Sequence, residues 1–326
     1  MKIFRLAKTA RPSAWSAALL IACALTSALA CGPSRTPDPV DISALPTKPE
    51  TAFEGRIVFQ SNMEGTNAVY VMTSDGVRKI TNNAWENKFP VWSPDGNRIA
   101  YYANPEGPYD IHVMNADGSD PIQVTTSGLD DKDPAWFPDG RHLAFARERK
   151  RLVGRNIELF KMDLETRKAE SLIPDFKDTH GIPHISPVDP LVVFTGKRTM
   201  GWDASIYNFE TGDYLHLGDR GHTCRARFSP DGSRLAYVSS EADGKGDIWI
   251  CNKDGSGKTR LTLRDDTYDY FPSWSPDGRF IVFNSSTQHD HDGDWALYII
   301  DVSTRETRLL FDSPGNDVFP DWIRIP

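Results

Sequence analysis

Two short stretches hold the residues best suited to chemistry. His180 and His184 lie in one, and His222, Arg225 and Arg227 in the other. Imidazoles bind divalent metals or move protons near neutral pH. Neighbouring guanidinium groups hold a carboxylate or another anion. A spacing of four joins two histidines on a helix but separates them along a strand. A metal centre would therefore need His222 to meet His180 and His184. Arg225 and Arg227 beside them favour an anionic group, so neither metal nor cofactor is expected. Asp131, Asp269 and Asp317, each three residues before a Pro, add carboxylates. They can attract a cation, a Lys or Arg side chain or a peptide N-terminus. They can equally cap turns and accept from backbone N–H groups.

Two other chemistries find less support. Gln288-His289-Asp290-His291-Asp292-Gly293-Asp294 has carboxylates at Ca²⁺-like spacing, but a strand follows at Trp295 where a Ca²⁺ loop would supply a bidentate Glu. It reads as a solvated hairpin tip. No Gly-x-Ser-x-Gly is present, and no helical segment suits an α/β-hydrolase domain.

The elements that position these residues recur. Trp92, Trp136, Ile185, Phe228, Trp274 and Trp322 stand 44, 49, 43, 46 and 48 residues apart. Ser-Pro-Asp-Gly follows at 93–96, 229–232 and 275–278, and Phe-Pro-Asp-Gly at 137–140; Ser186-Pro187-Val188-Asp189-Pro190 is a degraded copy. Pro presets one turn position and Gly accepts φ > 0. Each turn leads into an apolar strand, then a third and a fourth, the last with a Leu-Thr or Val-Thr ending such as Val124-Thr125. Four strands per unit of about 45 residues predict propeller blades. A solenoid would need atypical capping repeats at its ends. Here the ends are complementary: Arg56–Ser61 is a second strand lacking its turn, and Phe319–Trp322 is a first strand with nothing after it. Joined, they complete a sixth blade and leave no open edge at the seam. The expected fold is all-β, a six-bladed propeller of four-stranded blades over residues 53–326. Asn87, Asp131, His180, Thr223, Asp269 and Asp317 would then ring one channel opening, with the three Asp residues giving it a negative field.

Cys224 falls on the first strand of blade four and Cys251 on its third. Two interstrand spacings, about 9–10 Å, separate them, which is too far for a disulfide. Two free, largely buried thiols are expected.

Residues 1–30 carry Lys2, Arg5, Lys8 and Arg11, no acid, and an uncharged, mostly apolar stretch from Pro12 to Ala30. This is an export signal. Ala28-Leu29-Ala30 before Cys31 suits simple cleavage, and also resembles a lipobox with Cys31 lipidated; Cys23 is a rival acceptor. In the lipoproteins it resembles, Asp after the Cys favours inner-membrane retention, so Gly32 points to the outer membrane, with a soluble periplasmic protein as the alternative. Residues 31–52, with five Pro, read as a tether. No second apolar run is long enough to span a membrane. The chain's formal charge is −8. Beyond residue 30 it has 33 basic residues against 45 acidic, a formal −12, which argues against nucleic acid as a partner.

The repeats resemble TolB-type β-propeller repeats (WD40-like, PD40), across about residues 53–326. Such repeats also form the propeller of prolyl oligopeptidase-like peptidases and, more distantly, oligogalacturonate lyases. TolB itself has an N-terminal α/β domain where this chain has a tether. The N-terminal pattern, the strand alignment and the resemblance together lead to the expectation of a non-enzymatic, monomeric, lipid-anchored envelope domain. It would present a channel mouth to a protein or peptide, with Asp131, His180, His184, His222, Arg225, Arg227, Asp269 and Asp317 as contacts. The alternative is a metal-dependent oligosaccharide lyase or hydrolase built on His180, His184 and His222.

Overall fold

A computed structural model describes residues 45–324, except 106, 151–154, 175–178, 199–200, 219–220 and 290–292. The export segment and Cys31 lie outside the described residues. Among these residues there are six four-stranded antiparallel sheets. We number the blades by their innermost strands: Asn87–Trp92, Asp131–Trp136, His180–Ile185, Thr223–Phe228, Tyr268–Trp274 and Asp317–Ile323. Each innermost strand contacts those of the two neighbouring blades, so the ring closes. Blade six joins Asp317–Ile323, from the C-terminal end, to Arg56–Ser61, with Ile57 opposite Trp322. The complementary ends meet as expected.

The core lies between blades. Ile57, Phe59 and Met72 of blade six pack on Val282, Leu297 and Phe311 of blade five, and similar clusters join the neighbouring blades. The turns are held by their own side chains. Ser93 Oγ donates to Asp95 Oδ1 at 2.6 Å and accepts from Arg98 N–H at 2.9 Å. The Gly96 N–H closes the turn on Ser93 O, with Gly96 at φ +68°. Ser229 with Asp231, and Ser275 with Asp277, repeat the hydroxyl–carboxylate bond. This bond, the first cause, pulls the Asp231 carboxyl down to about 2.

Upstream of the first strand, residues 45–55 run along the seam. Val77 N–H donates to Thr47 O and Glu50 N–H to Leu310 O, both at 2.8 Å. Trp322 Nε1 donates to Glu54 O at 2.7 Å, and its ring meets Phe53 edge-on at 5.6 Å. Packing on the propeller thus reaches back to Leu45, within the segment read as tether. Cys224 and Cys251 are free and buried; Cys224 faces Val238 and Cys251 faces Leu235 on the strand between them.

Candidate functional site

The six residues expected to ring an opening are buried, each 0–1% exposed. Both oxygens of Asp131 are taken by Arg147, at 2.7 and 2.8 Å. Asp317 accepts Ser313 N–H and Oγ at 2.9 Å each, and burial pushes its carboxyl up to about 7. Asp269 lies 3.7 Å from Arg264, and burial raises its carboxyl despite the nearby hydroxyls of Ser285, Thr262 and Thr267. Asp131 is thus held within its own blade, and Asp269 and Asp317 by the segments leading into their strands, so the three buried carboxyls form no exposed acidic ring.

The reason is a bulge. In every blade, the residue two places after this position has left-handed backbone: Phe89 (φ 52°), Asp133 (53°), Ile182 (52°), Arg225 (54°), Phe271 (55°) and Phe319 (56°). Pairing with the second strand slips around each of them. Such backbone costs a non-glycine residue about 1–2 kcal/mol, and a bulge re-aims side chains. Here it brings distant blades into contact. Phe319 lies 4.3 Å from Phe271 and 4.9 Å from Phe89 between ring centres, and Phe89 lies 5.7 Å from Phe271. The Arg225 guanidinium stacks over Phe271 at 4.6 Å. Asp133 accepts from Ile182 N–H, and burial outweighs the Lys132 and Arg225 charges to push it up to about 6. Three members of this ring are aromatic, Ile182 is aliphatic, and Asp133 and Arg225 are charged residue types. Of its members, only Arg225 was foreseen; the signal for the rest is the place before Pro, which five of the six occupy.

The three histidines do not converge. His180 Nε2, buried, accepts Leu159 N–H at 3.1 Å. In other blades a fourth-strand Thr serves that backbone donor: Thr81 for Val69, Thr125 for Ile111 and Thr262 for Ile248, at 2.9–3.0 Å. Blade two has Pro174 after Leu172-Ile173, with no Thr there, and His180 of the next blade substitutes. Thr223 does the same for Ala204 N–H. His222 is exposed just before its strand, 3.3 Å from Ser240 Oγ. His184 lies at the other end of its strand, where Nδ1 accepts Phe228 N–H at 3.3 Å. Among the described residues, no group of three or more His, Cys, Asp and Glu is arranged to hold a metal. The metal-dependent alternative lacks the convergence it requires.

His184 and Arg227 instead line a funnel at the turn end of the innermost strands. It has a volume of 450 Å³ and takes residues from all six blades, including Trp92, Trp136, Pro183, Pro230, Trp274 and Asp321. Burial and then the Arg227 charge push the His184 imidazole down to about 3, so it is neutral. Arg227 Nη1 donates to Asp321 Oδ1. Asp321 Oδ2 accepts Trp92 N–H at 2.8 Å, and Ser273 Oγ lies 3.3 Å from Oδ1. One carboxylate in blade six thereby ties blades one, four and five. Asp321 escaped sequence reasoning. Its signal was present: of the six residues just before the Trp92-equivalent position, only Arg227 and Asp321 carry a charge at neutral pH.

Comparison with known proteins agrees with this architecture. Residues 48–208 match the family described as TolB beta propeller domain. The Tol-Pal system protein TolB of Francisella tularensis subsp. mediasiatica is 30% identical over 239 residues, 70% of this chain and 54% of that protein. The crystal structure of TolB from Acinetobacter baumannii superposes with a TM-score of 0.70 at 22% identity, over 84% of this chain and 68% of that one. Oligogalacturonate lyase from Vibrio parahaemolyticus shares the fold at a TM-score of 0.55 and 14% identity, over 83% of this chain and 80% of that one. The chain spans about half the length, or less, of the curated relatives it matches. By its repeats, its closed ring and these matches, the chain is a TolB-like six-bladed β-propeller repeat protein.

Proposed function

We propose that this protein is a non-enzymatic binding scaffold of the bacterial cell envelope, whose turn-end funnel receives part of a protein partner. The observation that supports this reading is the funnel itself: an open mouth walled by Pro and Trp from all six blades, with an ion pair in its lining. Rigid aromatic and Pro surfaces around a few fixed charges suit recognition of a peptide segment. The names of relatives, Tol-Pal system protein TolB, point the same way. Export and lipidation of Cys31 complete the proposal and place the domain on the periplasmic side of the outer membrane.

A photo-crosslinking amino acid at Val188, 64% exposed beside Pro187 of the funnel wall, tests it in growing cells. The expected result is a discrete adduct that is missing when the crosslinker stands at Ile122, exposed on the outermost strand of blade one. Identical adducts from both positions would refute the assignment. The mass of the mature N-terminus tests the anchor: a diacylglyceryl-modified Cys31 is expected, and an unmodified N-terminus would remove that part.

A further inference from the structure

The funnel's charge differs from that of the chain. The chain is formally −8, yet the residues lining the funnel include two arginines, Arg227 and Arg324, and one carboxylate residue, Asp321. His184 adds no charge there. Most other polar groups in the wall are engaged. Ser93 and Ser229 hydroxyls donate to Asp95 and Asp231, and Ser273 to Asp321. The indole N–H groups of Trp136 and Trp274 donate to Val91 O and Arg227 O. Pro has no N–H with which to bind an incoming main chain. Neutral His184, accepting on Nδ1, keeps an Nε2–H donor; the charged donor is Arg227, whose fork carries five N–H groups and gives Asp321 its Nη1, with Arg324 as the second cationic residue of the lining.

We infer that the funnel takes a partner segment presenting an Asp or Glu side chain, whose carboxylate shares or replaces Asp321 on Arg227. A planar guanidinium matches a carboxylate bidentately, and the net positive lining selects that sign. This rests on the reading of the funnel as the binding mouth.

The test uses the mature protein and three pools of fluorescein-labelled octapeptides, read by fluorescence polarisation. One pool is C-terminally amidated with Asp or Glu fixed at its centre. The second has Asn or Gln there, and the third is the second with a free C-terminal carboxylate. The acidic pool should bind about tenfold more tightly than the amide pool, a difference of about 1.4 kcal/mol. Arg227→Gln should abolish the difference. Asp321→Asn should tighten the acidic pool severalfold by removing the internal competitor, a gain that a misfolded variant does not give. Equal binding of the acidic and amide pools would overturn the carboxylate and leave the mouth as a peptide site. Preference for the third pool would move recognition to a chain end and overturn the side-chain assignment. Failure of every pool to bind would overturn both the inference and the mouth.

Discussion

Arg98 of blade one lies 4.8 Å over the Trp136 ring of blade two, and its Nη2 donates to Gly140 O at 2.5 Å. Arg56 repeats this with Trp92 and Gly96 O, and Arg234 with Trp274 and Gly278 O. Where the second strand instead opens near His142 or Leu191, the next blade has Ile185 or Phe228 in place of Trp. At those two junctions arginine and tryptophan are lost together, and before Trp322 the arginine's place is taken by Phe280, which packs in the same cluster, so the pair joins blades and is not a site. Arg98→Ala should cost about 1–3 kcal/mol in urea unfolding, the sum of a cation–π contact and a hydrogen bond. Arg98→Lys should restore less than half, because an ammonium does not stack and bridge together. A loss within error would contradict this role.

His180 should behave as a structural acceptor. His180→Ala strands the buried Leu159 N–H and should cost about 1–3 kcal/mol, measured by thermal and urea unfolding. Full stability of the alanine variant would contradict the assignment.

The contribution of Asp317 to stability should fall as pH rises from about 4 to 7, against the opposite trend of His184 and His112, whose imidazoles burial holds down to about 3 and about 4. Burial raises the folded-state carboxyl of Asp317 to about 7, above its unfolded value, so the folded protein holds that proton more tightly. The contribution is complete below the unfolded value and is lost as pH passes the folded one. Asp133, raised to about 6, adds in the same sense. Carboxyls held low, such as Asp231 at about 2, titrate below this window. Unfolding of wild type and Asp317→Asn at pH 5 and 8 checks the sign: the stability of wild type relative to the variant should be lower at pH 8 than at pH 5, and an unchanged difference would reject Asp317 as a source.

Cys224 and Cys251 should resist alkylation in the native protein and react once it unfolds. Both are buried, and burial pushes the Cys251 thiol up to about 12, so little reactive thiolate forms at neutral pH. Mass-spectrometric mapping of alkylated peptides reads each site separately. Rapid native labelling of either would contradict the strand register.

The fold was legible in the sequence because Trp92 and its copies recur with their turns, and because Arg56–Ser61 and Phe319–Trp322 are complementary halves. The site was legible only in part. His180 stood out as a departure from Asp, but the departure it repairs, the missing Thr of blade two, lies across a blade junction. Alignment sets Asp131, Asp269 and Asp317 at one end of the innermost strands but not the direction of their side chains, and the left-handed residue two places on re-aims the strand in every blade. Arg227 was found because it breaks the pattern. Its partner Asp321 was not, because the two meet across the ring, 94 residues apart in sequence.

Arg227 is the residue through which the turn-end funnel is proposed to bind its partner. The direct measurement is crosslink yield from Val188 in cells, comparing wild type with Arg227→Gln at matched protein levels and matched thermal stability. A discrete adduct is expected in wild type, falling at least about tenfold in the variant. An adduct of equal yield in both, or the same adduct from Ile122, would contradict it.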